Sequence, residues 1–443
     1  MLFNKQLFIL AHQAGDIKFY PNYKCLVKNQ WRPYNELKVE QEKRLHHIIN
    51  YSYEYVPYYR KLFHNLGISP TDIRHIEDLE KIPILTKEII KKNWEDLKPA
   101  NLEKIKHYSI STGGSTGSPL NYRITKFERF LSGAIMYRGW GYGGYQLSDK
   151  MIYFAGASLD CNTKINFSTK LQEIVRNVKK ISSFDMSPSD LQKDVDLINS
   201  VQPQYIYGYP SSLFFLSEWM NQNDINIFKP NAIFTTSEKL FPHMRDTISA
   251  TFNCELFDGY GLNDSGVTAN ECSEHSGLHI DTERSILEMI DEHGNQIVDG
   301  EGLILGTSLY NFAMPFIRYD TGDLGTITDE RCSCGRGYKL LREIVGRSAD
   351  ILYTPEGKNI HGWFFLMIFW EYGERIKEYQ VVQEKLDTIL IKIVPEENFD
   401  NKCLELIKNA IRQRSDRWNI EIKFVDHIER SISGKFKFIV NLM

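Results

Sequence analysis

The chain has 443 residues, of which 42% are hydrophobic and 25% charged, with a formal net charge of −4. This length exceeds what one compact core accommodates, so two or three domains are expected. Like charges form no block, which argues against a nucleic-acid partner. No stretch approaches the roughly 18 apolar residues of a membrane span, the apolar run at 7–11 is too short for a signal peptide, and seven cysteines in such a chain are not typical of a disulfide framework. We therefore expect a cytoplasmic protein.

The first part of the chain predicts helices and a pair of strands. Apolar residues at three- and four-residue spacing predict helix over 34–65, and a second helical stretch follows Pro83. Strands are predicted at 107–111 and 120–125, on either side of a Gly/Ser/Thr-rich loop. Thr125 and Glu128 form a capping-box pattern that begins the next helix.

The middle of the chain alternates strand-like and helical runs, which indicates an α/β layered domain. The strand-like runs are 151–156, 205–209, 231–236 and 254–261, and the helical runs are 189–200, 211–223 and 241–252. Residues 285–350 predict a series of short strands. The residues after 350 predict a hairpin, a helix and a strand. We therefore expect a large N-terminal domain over 1–349 and a small, mobile α+β domain over 350–443.

The loop at 112–119 is the first of five short motifs that could carry chemistry. Its glycines let the backbone approach a phosphate, and the Ser115 and Thr116 hydroxyls can donate hydrogen bonds to phosphate oxygens. It is not a Walker A loop, because no lysine follows the last glycine and a strand comes next. The alternative interpretation is a polar surface turn.

The next two motifs place acidic residues at predicted turns. In Asp258–Asp264 an aromatic beside a glycine can lie on a base, and the acid four residues after it can hold Mg²⁺. In Ile317–Asp323 a carboxylate at a tight turn can accept hydrogen bonds from ribose hydroxyls. An ordinary strand-to-turn junction and a hairpin turn are the respective alternatives. The last two motifs are Gly346–Asp350 and Ser433–Lys435, and a lone Gly-Lys is by itself most often solvated.

In this order, the five motifs resemble those of the acyl-adenylate-forming superfamily, which contains acyl-CoA synthetases, luciferases and peptide-synthetase adenylation domains. The resemblance extends from the Gly/Ser/Thr loop to Lys435. It is closest to the phenylacetate-CoA ligase branch and, within it, to capsule-biosynthesis proteins of the CapK type. The segments that carry this finer likeness are 56–63, 82–90, 207–212, 236–240, 271–272 and 314–319.

The resemblance implies a role for each matching residue. Tyr260 would lie near the adenine, Asp323 would bind the ribose hydroxyls, and Arg347 would also contact the nucleotide. Asp350 would be the hinge between the domains. The loop would hold the β- and γ-phosphates through Thr112, Gly113, Gly114, Ser115, Thr116 and Gly117, with Thr116 also catalytic. Further nucleotide-site residues would be Ser237, Glu238, Asp258 and Gly261.

Lys435 would bridge the carboxylate and the α-phosphate during adenylation. A positioned cation suits this step because charge builds on oxygen in the transition state. Two positions depart from the family pattern: Asp264 stands where a Mg²⁺-binding Glu is usual, and Ser118 replaces a frequent lysine. The cofactors implied are ATP, Mg²⁺ and, for a thioester product, CoA.

Four residues form a candidate zinc site. Cys332 and Cys334 are a compact pair, and Cys272 and His279 lie upstream, which together make a tetrahedral ligand set. His275 is the alternative histidine. The phenylacetate-CoA ligase branch includes members with structural zinc in this region, whereas the plain alternative is reduced, partly buried cysteines.

Three functions are compatible with the sequence. The first is a ligase of surface-polysaccharide assembly that joins a small carboxylic acid to an amine or to CoA, and the second is an aryl- or acyl-CoA ligase of catabolism. The third is a nucleotide- and zinc-binding scaffold with weak catalysis. The presence of Asp264, where the family usually has Glu, favours this third function. The branch is also compatible with a homodimer.

Overall fold

A computed structural model describes residues 2–111, 120–155, 167–182, 188–347, 351–371, 375–396, 398–430 and 436–443. The chain divides into two compact units, Met1–Val345 and Gly346–Met443. Within the described ranges, no helix combines the length and the apolar character needed to cross a membrane.

The helices of the first unit lie mainly before and between the strands of its parallel sheet. Over the described residues they are α1 (Leu2–Gly15), α2 (Phe19–Asn29), α3 (Tyr34–Tyr55), α4 (Pro57–Leu66), α5 (Lys87–Lys92), α6 (Lys126–Trp140), α7 (Phe167–Arg176), α8 (Pro188–Val201), α9 (Pro210–Gln222) and α10 (Pro242–Phe252). Short 3₁₀ turns span Pro70–Asp72, Ile76–Lys81, Leu102–Lys104 and Gly141–Gly143.

The helix predicted over 34–65 is two helices in the structure. Val56, with φ −108° and ψ 110°, is extended between α3 and α4. Pro57 causes this break, because the ring of a proline disfavours the helical conformation in the preceding residue. The predicted start of α6 is a capped terminus, since the Thr125 hydroxyl accepts a hydrogen bond from the Glu128 amide at 3.1 Å. The Glu128 carboxylate is instead paired with Arg284.

The strands of the first unit form three sheets. A two-stranded hairpin consists of β1 (His107–Ser111) and β2 (Asn121–Thr125). A parallel sheet has the order β4-β3-β5-β6-β7, with β3 (Met151–Ala155), β4 (Val178–Ser182), β5 (Tyr205–Gly208), β6 (Ala232–Thr235) and β7 (Glu255–Phe257). An eight-stranded sheet has the order β12-β11-β13-β14-β15-β10-β9-β8, with β8 (Gly259–Gly261), β9 (Thr268–Glu271), β10 (Leu278–Ile280), β11 (Ser285–Ile290), β12 (Gln296–Ile297), β13 (Gly300–Ser308), β14 (Tyr319–Thr328) and β15 (Leu340–Arg347).

The parallel sheet is covered by an aromatic core. Every residue of β5 and β6 is buried, as expected for parallel strands with helices on both faces. The Trp140 ring packs edge-on against Tyr207 at 4.7 Å between centroids, and it stacks on Phe234 at 5.8 Å. Gly208 is required at the end of β5, since a Cβ there would lie 2.4 Å from the Phe154 carbonyl oxygen.

The eight-stranded sheet is strongly curved around its own core. A Cβ on Gly306, in β13, would lie 2.4 Å from the Cβ of Ser265, which follows β8 at the sheet's far end. The enclosed core contains Ala269, Leu278, Ile280, Met289, Ile304, Ile327 and Leu341. Curvature therefore brings β13, the third strand of this sheet, close to the segment that follows its last strand, β8.

Buried ion pairs connect parts of this sheet to one another and to the preceding helix α6. The Arg284 guanidinium donates to Glu128 at 2.6 Å, and that of Arg318 to Glu288 at 2.9 Å. The Arg138 guanidinium donates to Asp281 and is fully buried. Removing one partner of such a pair costs about 3–5 kcal/mol, because the remaining charge stays buried and uncompensated.

The second unit is a small α+β fold. Its helices are α11 (Gly362–Glu371) and α12 (Asn401–Arg412). A hairpin contains β16 (Ile351–Tyr353) and β17 (Asn359–His361), and a sheet with the order β20-β19-β18-β21 contains β18 (Ile376–Lys385), β19 (Thr388–Pro395), β20 (Asn419–Phe424) and β21 (Ile439–Asn441). The buried stripe of α12, Cys403, Ile407 and Ile411, follows the four-residue helical spacing.

Candidate functional site

Three of the predicted nucleotide-site residues form what we call the carboxylate cluster: Tyr260, Asp264 and Asp323. Tyr260 lies in β8 and Asp323 in β14, and the curvature of the sheet brings them together. The Tyr260 hydroxyl donates a hydrogen bond to Asp323 Oδ2 at 2.8 Å. Burial, followed by the negative charge of Asp323, raises the pKa of Tyr260 far above its ordinary value, so the hydroxyl keeps its proton.

Asp264 completes the cluster from the loop after β8. Its Oδ1 accepts a hydrogen bond from the Ser265 amide at 2.8 Å, and the Tyr319 hydroxyl lies beside the same carboxylate. Burial is the main cause that raises the pKa of Asp264, while the charge of Lys87 lowers it and that of Asp323 raises it. The three oxygen-bearing side chains therefore share one electrostatic environment, in which both carboxylates are buried and Tyr260 is half-buried.

The β1–β2 hairpin reaches this cluster. Ser111 and Asn121 are the last paired residues before the loop, so 112–119 connects the two strands at that end. Burial raises the pKa of Tyr122, in β2, and the nearby Asp264 carboxylate adds to that effect. The second strand of the hairpin therefore lies beside the carboxylate cluster.

Several predicted site residues lie outside the described part of the chain. They are Thr112, Gly113, Gly114, Ser115, Thr116, Gly117, Asp350 and Lys435. The backbone of Arg347 ends β15, and its side chain is not among those described. The roles predicted for these residues stay predictions.

Asp258 is held by protein groups on two sides. The Thr235 hydroxyl donates to its Oδ1 at 2.7 Å, and its own amide donates to Glu271 Oε2 at 2.7 Å. Burial raises the pKa of the Asp258 carboxyl, and the nearby Glu271 adds to that effect. This arrangement fixes the turn from β7 into β8, which carries Tyr260 and Gly261.

Two of the segments that resemble the phenylacetate-CoA ligase branch, 207–212 and 236–240, contact each other. The Thr236 amide donates to the Gly208 carbonyl at 3.2 Å, and the Ser211 amide donates to Glu238 Oε2 at 3.1 Å. Ser237 has a φ of 70°, a left-handed conformation that is uncommon outside glycine. Strain of this kind is typical of a functional loop.

Two residues beside Asp264 were not identified from the sequence. Tyr319 lies within the third motif, close to Asp323 in the chain, so the sequence contained a signal that could have identified Tyr319 as a site residue. Lys87, the first residue of α5, is near Asp264 only through the tertiary fold.

The four predicted zinc ligands also come together, in what we call the thiolate cluster: Cys272, His279, Cys332 and Cys334. Their ligand atoms all lie within 4.8 Å of one another. The two sulfurs of Cys272 and Cys332 are 3.7 Å apart, and His279 Nε2 is 3.3 Å from the sulfurs of Cys272 and Cys334. These separations match a tetrahedron with Zn–S bonds of about 2.3 Å, whose sulfur–sulfur edge is about 3.8 Å.

His275 lies outside this cluster because its ring faces a carboxylate. Its Nδ1 is 3.1 Å from Glu271 Oε1. Burial, with the charges of Arg336 and Arg138, lowers the pKa of His279 to about 4, so its imidazole is neutral as a metal ligand must be. Burial raises the pKa of the Cys272 thiol to about 12, so without a cation this sulfur keeps its proton.

Comparisons with known proteins agree with this fold. Residues 352–442 match the family model of the CapK C-terminal domain. The chain is 26% identical to phenylacetate-coenzyme A ligase of Thermus thermophilus, over 93% of this chain and 97% of that protein. It is 25% identical to protein CapK of Staphylococcus aureus, over 93% of this chain and 90% of that protein.

Solved structures give the same fold. A 2-hydroxyisobutyryl-CoA ligase in the postadenylation state, in complex with R3-HIB-AMP, aligns with a TM-score of 0.74 and 20% identity, over 94% of this chain and 91% of that one. The chain therefore has the fold of the adenylate-forming ligases. Its C-terminal region matches the CapK C-terminal domain, and the chain as a whole is similar to phenylacetate-CoA ligases and to CapK.

Proposed function

We propose that this protein uses ATP to activate a carboxylic acid as an acyl-AMP and then transfers the acyl group to an amine or thiol acceptor. The observation that carries the proposal is the hydrogen bond between Tyr260 and Asp323, with Asp264 in the same buried cluster. These residues come from separate motifs of the predicted ATP site. Their meeting supports one nucleotide site shared by those motifs.

In this proposal, Asp323 accepts hydrogen bonds from the ribose hydroxyls. The Tyr260 hydroxyl holds that carboxylate in place, while the Tyr260 ring and Gly261 lie near the adenine. The β1–β2 hairpin presents the loop from Thr112 to Gly117 to the phosphates, and Arg347 adds a contact to the nucleotide. Fixed hydrogen-bond donors and charges suit this chemistry, because adenylation requires accurate placement of the acid against the α-phosphate.

Asp264 is the proposed Mg²⁺ ligand. Carboxylate oxygens are hard ligands that suit Mg²⁺, and the raised pKa of Asp264 indicates a buried acid that a cation would stabilise as the carboxylate. Mg²⁺, when bound, would neutralise charge on the ATP phosphates. Because Asp is one methylene shorter than Glu, a water between the carboxylate and the ion would restore the reach.

Lys435 is the proposed adenylation lysine, and Asp350 is the proposed hinge. The lysine would stabilise the charge that builds between the acid and the α-phosphate, which requires its ammonium to be present during adenylation. Rotation of the C-terminal domain about the hinge would then remove Lys435 for the transfer step.

The thiolate cluster is proposed to hold a structural Zn²⁺. Four ligands from the chain fill a tetrahedral shell, which is typical of a structural rather than a catalytic zinc. The cluster fastens the turn after β9 to the turn between β14 and β15. Zn²⁺ would therefore stabilise the sheet that carries the carboxylate cluster.

The biological setting we propose is surface-polysaccharide assembly, with a small acid or sugar uronate as the activated group. The match of 352–442 to the CapK C-terminal domain supports this setting. The test is a screen for acid-dependent exchange of labelled pyrophosphate into ATP, with uronic acids in the panel. Lys435→Ala should abolish the exchange and leave the melting temperature unchanged, whereas exchange at the wild-type rate in this variant would refute the mechanism.

The second candidate is an aryl- or acyl-CoA ligase. The nearly full-length match to phenylacetate-coenzyme A ligase favours it. An acid that supports exchange should then be incubated with CoA or with candidate amines. A thioester in the mass spectrum assigns CoA as the acceptor and favours the CoA ligase, whereas an amide assigns an amine acceptor and excludes the CoA ligase.

A further inference from the structure

A cavity of about 620 Å³ lies in the first unit, and none of its lining residues belongs to either cluster described above. It is formed by the end of α1, by α3, by the segment just before β1 and by the residues just after β2. Its volume is in the range that holds a small-molecule ligand. The residues that line it and are used below are Asp16, Tyr51, Lys104, Lys106, Lys126, Phe127, Tyr310 and Phe312.

The floor of this cavity is aromatic and held in place. The Tyr51 hydroxyl donates to Asn101 Oδ1 at 2.7 Å and lies 3.0 Å from the Phe312 carbonyl oxygen. The Tyr51 and Phe312 rings pack edge-on at 4.9 Å, and the Phe127 and Tyr310 rings lie 5.1 Å apart. Fixed rings of this kind bind a flat apolar group with little loss of side-chain entropy.

The rim of the cavity carries a positive charge. Lys104 and Lys106 are exposed, Lys126 is half-buried, and Asp16 is the one acid among the lining residues. None of the three lysines makes an ion pair with any residue that the structure describes. Three positive charges and one negative charge leave a net +2, which complements the two negative charges of a phosphate monoester.

The cavity is separate from the predicted nucleotide site. The Lys126 amide donates to the Lys106 carbonyl at 2.8 Å, which closes the β1–β2 hairpin at the end opposite the 112–119 loop. Four residue steps separate the two ends of β2, a distance of about 13 Å. Tyr122 is near Asp264, whereas Thr125, at the other end of the strand, lines the cavity.

We propose that this cavity is a second ligand site, for a small molecule that combines a flat aromatic body with a phosphate monoester. The aromatic body lies on Tyr51, Phe127, Tyr310 and Phe312, and the phosphate lies at Lys104, Lys106 and Lys126. Both halves are needed, because lysine contacts alone are weak in water and an apolar surface alone does not select an anion.

The test is calorimetric titration of the full-length protein with 1-naphthyl phosphate, with inorganic phosphate and 1-naphthol as the separate halves of the probe. We expect one-site binding of 1-naphthyl phosphate and much weaker binding of either half. The double variant Lys104→Ala/Lys106→Ala should lose about tenfold or more in affinity, because it removes two charge-assisted contacts. Its matched control is Lys98→Ala/Lys229→Ala, two exposed lysines outside the cavity, which should bind as the wild type does.

The variant Asp323→Asn distinguishes this site from the nucleotide site. Binding that persists in Asp323→Asn and weakens in Lys104→Ala/Lys106→Ala supports the cavity. The proposal is overturned if the wild type does not bind the probe, if the two lysine double variants bind it equally, or if Asp323→Asn alone removes binding. None of these readouts uses the ligase reaction, so failure of the proposed function would leave the result interpretable.

Discussion

The carboxylate cluster and the thiolate cluster lie on the same eight-stranded sheet, yet the protein completes them differently. In the carboxylate cluster, Tyr260 donates to Asp323 and the Ser265 amide donates to Asp264. In the thiolate cluster, the four ligand atoms face one another within 4.8 Å, and no described residue hydrogen-bonds to His279 Nδ1.

This difference shows what each cluster is suited to bind. The carboxylate oxygens are hard ligands that already accept hydrogen bonds from the protein. They can give up such a hydrogen bond when a ligand binds and form it again when the ligand leaves, as a site of repeated turnover requires. Four soft ligands that close a tetrahedron leave no position for a substrate. We therefore expect changes in the carboxylate cluster to affect turnover and changes in the thiolate cluster to affect stability.

Among changes to these two clusters, the largest expected effect is that of Asp323→Asn on turnover. This change removes the charge that would accept hydrogen bonds from both ribose hydroxyls, each worth about 1.5–3 kcal/mol. Acid-dependent pyrophosphate exchange should therefore fall by about 10²- to 10⁴-fold. Asp329→Asn, at an exposed position, is the control and should retain the wild-type rate. An unchanged rate in Asp323→Asn would remove this residue from the nucleotide site.

The second effect separates the two histidines of the thiolate-cluster region. His279→Ala should lose bound zinc and lower the melting temperature by several degrees, because a structural metal contributes directly to folding. His275→Ala should keep the metal, since its ring faces Glu271 instead. Metal content by inductively coupled plasma spectrometry, together with thermal unfolding, measures both variants. Equal zinc content in the two would contradict the assignment of His279.

The third effect concerns Asp264 and Mg²⁺. Asp264→Asn should reduce exchange by about tenfold or more and raise the Mg²⁺ concentration needed for half-maximal rate, because a neutral amide is a weaker ligand than a carboxylate. A titration of exchange rate against Mg²⁺ measures this shift. The thiolate cluster should be unaffected, so zinc content serves as the internal control. A variant with the wild-type Mg²⁺ dependence would assign the ion to other ligands.

The smallest effect is that of Tyr260→Phe. It keeps the ring near the adenine and removes only the 2.8 Å hydrogen bond to Asp323. A hydrogen bond to a charged group is worth about 1.5–3 kcal/mol, but water can replace it in part, so KM for ATP should rise about three- to tenfold. Steady-state kinetics measure this change. A loss as large as that of Asp323→Asn would instead indicate that the hydroxyl itself contacts ATP.

Local sequence predicted many elements of the fold, because the deciding interactions lie within a few residues. Buried and less buried residues alternate along β14, and the apolar residues of α8 follow helical spacing. Both patterns show which face of the element is buried, and both are visible within a short stretch of sequence. The strand β4 was missed, since Val178–Ser182 has two adjacent lysines and no clear alternation. Its pairing with β3 is a tertiary contact.

By itself, the sequence determined the order of the five motifs and the residue types of both clusters, since motif order and residue chemistry are written along the chain. Only the tertiary structure decided that His279 rather than His275 joins the cysteines. It also decided that Tyr260 and Asp323, 63 residues apart in the chain, share a hydrogen bond. The reason is that these contacts depend on how far a sheet of eight strands curves, and that curvature is set by long-range packing which no short stretch of sequence contains.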